Sequence, residues 1–348
     1  MSSAWWDDLE RRARAALPAP LFEYVDHGSG EQLTRREASD GWRGLRLRAH
    51  VLRDVTEVDL STRLLDHDYA VPWGIAPTSL QRAVHPDGEL ATARASATAE
   101  ALMVVSSNAG TTFAEIGATG VGWWLQLYLP ADRTLAEPLL DRAVAAGARA
   151  VVLTVDTPVV ASWRPSGDLI WDVVDPAIVR TNFDPGYADA GGAEKALDLG
   201  PHDIVWLRER TGLPVVVKGV LRADDAVRCV QAGARAVWVS NHGGRQLDRA
   251  ISTAEALPAV VAAVGSDAQV YVDGGVRCGL DVLSAAALGA DAVLVGRTAV
   301  HALVEGADGV ARMHAELGEQ CVEAWRLAGC RTMADARDLA GPSRSTPS

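Results

Sequence analysis

The sequence is short of paired cysteines, of uninterrupted apolar runs and of positive charge, and each shortage excludes a class of protein. Four cysteines occur in 348 residues, Cys229, Cys278, Cys321 and Cys330, and none forms a C-x-x-C. No paired histidines sit near them, so they read as reduced thiols rather than a disulfide frame or a metal site. No stretch approaches about 18 apolar residues free of charge, which argues against a membrane-spanning helix. Asp7 and Asp8 stand where a secretion signal would carry base. Thirty-three basic residues face 45 acidic ones, a net charge of −12. That balance disfavours nucleic acid and anionic lipid, which recruit basic patches. The expectation is a cytoplasmic protein that binds neither nucleic acid nor membrane.

What is present suits a folded chain. Hydrophobic residues make up 48% and charged ones 22%, which is too apolar for intrinsic disorder. This length fits either two ordinary domains or one large barrel. An internal echo favours the barrel. A-G-A-R-A-V-V-L-T-V at 146–155 recurs as A-G-A-R-A-V-W-V-S-N at 232–241 and as L-G-A-D-A-V-L-V-G at 288–296. Each copy reads as a helix end, a glycine cap and a short β-branched strand. These strands are apolar on both faces, as parallel strands covered by helices are. Runs at 71–76, 102–106, 123–128, 214–218 and 269–273 bring the candidate strands to eight. Alanine-rich stretches with helical spacing lie between them at 87–101, 132–146, 223–232, 253–264 and 279–288. The pattern predicts an α/β protein, a (β/α)8 TIM barrel. A doubly wound open sheet is the alternative, but no G-x-G-x-x-G follows the first strand.

One domain is therefore expected over 1–340. Residues 1–70 form a helical cap, with an amphipathic helix over 4–16 and another over 20–26 after a proline break. Residues 162–201 are the longest non-repeating insertion. They follow the fourth strand, where a barrel carries an active-site lid. Residues 341–348 are expected to be a disordered tail.

Side chains at the C-terminal ends of barrel strands converge on one mouth. The first end offers Pro77, Thr78 and Ser79, the second Ser106 to Asn108, the third Gln126 and Tyr128, and the fourth Thr154 and Asp156. The fifth offers Lys218, the sixth Ser240, Asn241, His242 and Arg245, the seventh Asp273, Gly275 and Arg277, and the eighth Gly296 and Arg297. Glycines after strands seven and eight let backbone N–H groups approach a phosphate, which Arg277 or Arg297 would neutralise. Taken alone, such glycines are also ordinary tight turns. His242 with Asp156 behind it reads as a base whose protonated form is stabilised. Arg245 can clamp a substrate carboxylate with two prongs. Lys218 ends an apolar strand, so its ammonium needs an anion or a polarisable ring, and a structural ion pair is the alternative.

The string S-N-H-G-G-R-Q-L-D at 240–248 resembles the FMN-dependent α-hydroxy-acid oxidase and dehydrogenase family. Similar stretches run along most of the chain: Tyr24, A-P-T at 76–78, H-P-D-G-E-L-A-T-A-R at 85–94, Q-L-Y at 126–128 and T-V-D-T-P at 154–158. They continue with Asn182 and Phe183, V-K-G at 217–219, D-G-G-V-R at 273–277, G-R at 296–297 and A-G-C at 328–330. The resemblance implies an FMN-binding barrel. On it, Pro77, Thr78, Ser79, Ser106, Gln126, Thr154 and Ser240 lie along the flavin ring, and Lys218 stabilises the reduced anion beside N1 and O2. Asp273, Gly275, Arg277, Gly296 and Arg297 hold the ribityl phosphate. His242 is the implied base, with Asp156 stabilising its imidazolium and Tyr128 beside it. Arg245, Tyr24 and Tyr128 hold the substrate carboxylate and hydroxyl. Two electrons pass from the substrate Cα to flavin N5, giving a 2-oxo acid.

Reoxidation by O2 is expected, with another acceptor as the alternative. The residue after Pro-Thr influences oxygen reactivity in the family, where Ala and Gly are familiar, and here it is Ser79. A homotetramer is expected, since the family frequently forms one.

Two departures bear on the substrate. Asn108 stands where the family often has a bulky aromatic residue. V-V-A-S-W-R-P at 159–165 replaces a G-x-R-x-x-D pattern whose arginine helps bind the carboxylate, and Arg164 is the candidate replacement. A larger or aromatic, mandelate-like 2-hydroxy acid is expected. Trp163 and Trp171 would wall its pocket or else pack the lid against the barrel. Oxidation of a hydroxyl or amine in a biosynthetic intermediate is the alternative. A flavin-binding isomerase or silent binding protein is a third reading, and the intact His242, Arg245 and Asp156 argue against it.

Overall fold

Eight apolar runs pair side by side in parallel and close into a barrel. The computed structural model describes residues 3–163, 167, 169–337 and 339–340. A small antiparallel hairpin comes first, β1 (Thr62–Leu64) and β2 (His67–Tyr69). The barrel strands are β3 (Trp73–Ile75), β4 (Leu102–Ser106), β5 (Trp123–Leu127), β6 (Val151–Thr154), β7 (Val215–Val220), β8 (Ala236–Val239), β9 (Gln269–Asp273) and β10 (Ala292–Val295). Pairing of β10 with β3 closes the ring. All eight predicted strands are present, their ends shifted by a few residues.

The alternation of a strand places the chemistry. Val104, Trp124, Val152, Val216, Trp238, Tyr271 and Leu294 point inward and fill the barrel interior. Their neighbours, such as Val105, Leu125, Leu153 and Val217, point outward into the core shared with the helices. Two residues further along each inner face come Ser106, Gln126, Thr154, Lys218, Ser240, Asp273 and Gly296. Two more bring Tyr128, Asp156 and His242. The mouth is thus built in two layers above an apolar plug. At the other end the hairpin contributes Leu64, Leu65 and Tyr69 to the same interior cluster and seals the floor.

The cap differs in detail from expectation. The predicted helix over 4–16 is split at Asp8 into Ala4–Asp7 and Leu9–Ala16, and helices Ala19–Asp26 and Leu33–Arg43 follow. Ala13, Leu17, Leu21 and Phe22 of the cap pack with Leu80, at the exit of β3, and with Ile170 of the lid. Among the described residues the lid carries three short 3-10 segments, Ile170–Asp172, Pro176–Arg180 and Tyr187–Asp189. It ends at Gly200, because Pro201 opens a helix, Pro201–Thr211, that the expected boundary at 201 overlooked. Proline is favoured at that first helical position, where its missing N–H costs nothing. Arg164 and residues 341–348 lie outside the described residues. Among the described residues no helix is long and apolar enough to cross a membrane, and no cluster of metal-ligating side chains occurs.

Candidate active site

The lower layer of the mouth is polar and buried. Lys218 donates from Nζ to Ser240 Oγ at 2.8 Å, and Ser240 Oγ donates to Asp273 Oδ1 at 2.7 Å. Lys218 Nζ also lies 3.4 Å from Asp273 Oδ2, so its ammonium has the ion pair left open above. Gln126 Nε2 donates to Thr154 Oγ1 at 3.0 Å. Gln81 Nε2 donates to Thr78 Oγ1 at 3.1 Å, and the Asn108 N–H donates to Ser106 Oγ at 3.2 Å. Pro77 and Ser79 are half-buried at the exit of β3. A Cβ on Gly296 would meet Ala76 and Thr78 at 3.9 Å, ordinary van der Waals distance, so nothing crowds this glycine. Amide, hydroxyl and ammonium groups so placed fit the polar edge of a flat ring.

The upper layer holds the base. His242 Nδ1 lies 2.9 Å from Asp156 Oδ1, and its Nε2 lies 3.4 Å from the Tyr128 hydroxyl. Thr157, in the T-V-D-T-P stretch, donates from Oγ1 to Asp156 Oδ1 at 3.1 Å. Burial holds the His242 pKa below its usual 6.5, although Asp156 pulls it upward. The imidazole is therefore neutral, with the proton on Nδ1 facing the carboxylate and Nε2 free to accept. Burial raises the Asp156 pKa, but His242, Lys218 and the Thr157 hydroxyl together more than offset this and keep the carboxyl ionised. Arg245 donates from Nη1 to the Tyr24 carbonyl at 2.6 Å, and its guanidinium lies 4.9 Å over the Tyr24 ring. Arg245, Tyr24, Tyr128 and His242 thus converge as expected.

Beside this pair lies a basic cluster. Arg297 donates to the carbonyls of Val25, Gly243 and His27 at 3.2, 2.9 and 2.8 Å, which leaves two of its five N–H groups unused among the described residues. Burial, then the like charges of Arg245, Arg277 and Arg35, push its pKa down to about 9. Asp26 faces these cations, but it is already paired with Arg35. Such an excess of positive charge calls for an anion, and a phosphate fits.

Two of the residues expected at the phosphate also have partners within the protein. Gly275 is glycine because a Cβ would strike the Ala38 carbonyl at 2.1 Å, so the cap helix Leu33–Arg43 sets that residue. Arg277 is exposed and donates to its own neighbour's carbonyl, Val276, at 3.0 Å.

The lid tryptophans touch the cap. Trp163 stacks on His27 with ring centroids 3.8 Å apart, and Trp171 lies 6.3 Å from Tyr24. The packing alternative holds for Trp163. His27 itself was missed in the sequence, where nothing sets it apart from other cap residues.

A neutral base above a polar ring site, with an anion site alongside, fits a substrate laid over a bound cofactor. A family model described as FMN-dependent dehydrogenase matches residues 13–340, and the chain belongs to that family, with FMN as its cofactor. The 4-hydroxymandelate oxidase of Amycolatopsis orientalis is 39% identical over 345 residues, covering 95% of this chain and 96% of that protein. Glycolate oxidase 3 of Arabidopsis thaliana is 38% identical over 339 residues, covering 94% and 92%. The crystal structure of mandelate oxidase with (S)-4-hydroxymandelic acid matches with a TM-score of 0.89 at 37% identity, covering 96% of this chain and 97% of that one.

Proposed function

We propose that this chain oxidises a 2-hydroxy acid with an aromatic side chain, of the mandelate type, to the 2-oxo acid. The observation that carries the reading is the neutral His242, backed by Asp156 and turned with Nε2 toward Tyr128. His242 Nε2 takes the substrate proton, and Asp156 stabilises the imidazolium that results. Arg245, Tyr24 and Tyr128 hold the carboxylate and hydroxyl, and Arg164 is a further candidate for the carboxylate. Bound FMN supplies the two-electron acceptor. Pro77, Thr78, Ser79, Ser106, Gln126, Thr154, Lys218 and Ser240 would hold its ring, and Asp273, Gly275, Arg277, Gly296 and Arg297 its ribityl phosphate. The half-buried Asn108 supports an aromatic substrate, since a small side chain there leaves room at the mouth. Relatives named as oxidases support O2 as the final acceptor.

The test is anaerobic mixing of the yellow protein with (S)-mandelate, lactate and glycolate while flavin absorbance is followed. Mandelate should bleach it fastest, and colour should return in air. Faster bleaching by glycolate removes the aromatic preference. Equal bleaching by mandelate esters or amides removes the carboxylate requirement.

We further propose a cytoplasmic homotetramer. The four cysteines are free thiols, as a reducing compartment keeps them. Val51, Leu52 and Leu327 are exposed around the His50 to Ala328 backbone bond, an apolar patch suited to burial between copies. A monomeric mass by light scattering would remove the assembly.

A further inference from the structure

Two of the 33 basic residues are lysines, Lys195 and Lys218, and the rest are arginines. The fold brings both lysines to the mouth. Lys218 rises from β7 into the lower layer, as described. Lys195 arrives from the opposite direction, on the returning stem of the lid. Its backbone is fixed there. The Ala131 N–H donates to the Glu194 carbonyl at 2.8 Å, and the Ala196 N–H donates to the Leu129 carbonyl at 2.9 Å. An antiparallel bridge joins Lys195 to Pro130. The stem therefore runs alongside the residues that leave β5, and Lys195 lies against Tyr128.

The half-buried ammonium sits 4.3 Å from the centroid of the Tyr128 ring, the ring whose hydroxyl faces His242. Among the described residues it has no hydrogen-bond acceptor, and Asp156 is the charge that acts on it. A cation with a ring face but no carboxylate of its own is short of one anion. Among the described residues, Lys218 pairs with Asp273 and the other ion pairs are made by arginine and histidine. A compact ammonium on a flexible stem can stand over a ring and still present its donors.

We propose that Lys195 is a second cation of the substrate site, which acts with Arg245 on the substrate carboxylate beside Tyr128 and sets the preference for anionic over neutral substrates. The inference rests on the carboxylate substrate proposed above.

The test uses the FMN-loaded protein and equilibrium binding of benzoylformate, followed by flavin absorbance and calorimetry, with neutral 2-hydroxy-phenylacetamide as the control ligand. Lys195→Met should weaken benzoylformate about tenfold and raise the KM for (S)-mandelate in step, while the amide shifts by less than about twofold. Lys195→Arg should retain most of the affinity. Lys195→Gln, measured in parallel, decides the matter if the Met variant does not accumulate. Equal weakening of acid and amide, or no weakening at all, overturns the assignment. Wild-type protein that binds no benzoylformate overturns the substrate reading itself, a result distinct from a wild type that binds and a variant that does not differ.

Discussion

His242 occupies the left-handed backbone region, with φ at +58°, which is uncommon outside glycine although Asn, Asp and His visit it more than most. Gly243 and Gly244 continue the same left-handed turn at +62° and +76°. The turn swings the imidazole back onto Asp156 instead of out to solvent, and such strain costs about 1–3 kcal/mol. The sequence showed both partners, because T-V-D and S-N-H each end a strand. It did not show the protonation state, which depends on burial. Burial favours the neutral ring, so the base form survives below the usual 6.5. The expected profile of kcat/KM is flat above about pH 6.5, with its acid limb centred lower. Asp156→Asn removes the pull that raises the His242 pKa. It should move that limb lower still and cut the rate by about 100-fold or more. A wild-type limb centred above pH 7 would contradict a buried neutral imidazole.

At the level of elements, the barrel was readable because parallel strands covered on both faces leave continuous apolar runs. The hairpin β1–β2 was not, since T-R-L and H-D-Y are too short to show a period. The helix Gly306–Leu327 also went unread, because it opens on glycine and follows closely on another helix. The lid was recognised as a segment, but its attachments were not visible, and one of them runs through a single amide. Asn182 is buried. Its Oδ1 accepts from the Phe113 N–H at 2.9 Å, and its Nδ2 donates to the Thr111 carbonyl at 2.9 Å. Asn182→Ala leaves those backbone groups without partners, a loss of about 1–3 kcal/mol. The expected result is a lower Tm and a raised KM with FMN content unchanged. An unaltered KM would show that the lid does not need this anchor.

Over the whole molecule the buried histidines set the response to acid. Burial lowers His27 to about 3 and His301 and His314 to about 4, from a usual 6.5. His314 shows why. It accepts from Trp73 Nε1 at Nδ1 and has Ser96 Oγ 3.3 Å from Nε2, so a second ring proton would face the indole N–H. The folded protein keeps these rings neutral, and the unfolded chain protonates them. Their stabilising effect is therefore complete above about pH 6.5 and is lost as pH falls toward 4, at up to about 1.4 kcal/mol per histidine per pH unit. Glu89 and Asp281 act in the opposite sense, since burial raises both carboxyls. Their window lies above the usual values of 4.5 and 3.8, up to the raised ones, so they offset part of the loss while the three histidines outnumber them. Between pH 6.5 and 5 the histidines should dominate, so Tm should decline steadily across that interval, and less steeply in His314→Gln. A Tm that stays level from pH 7 to 5 would mean that these rings are not held neutral by the fold.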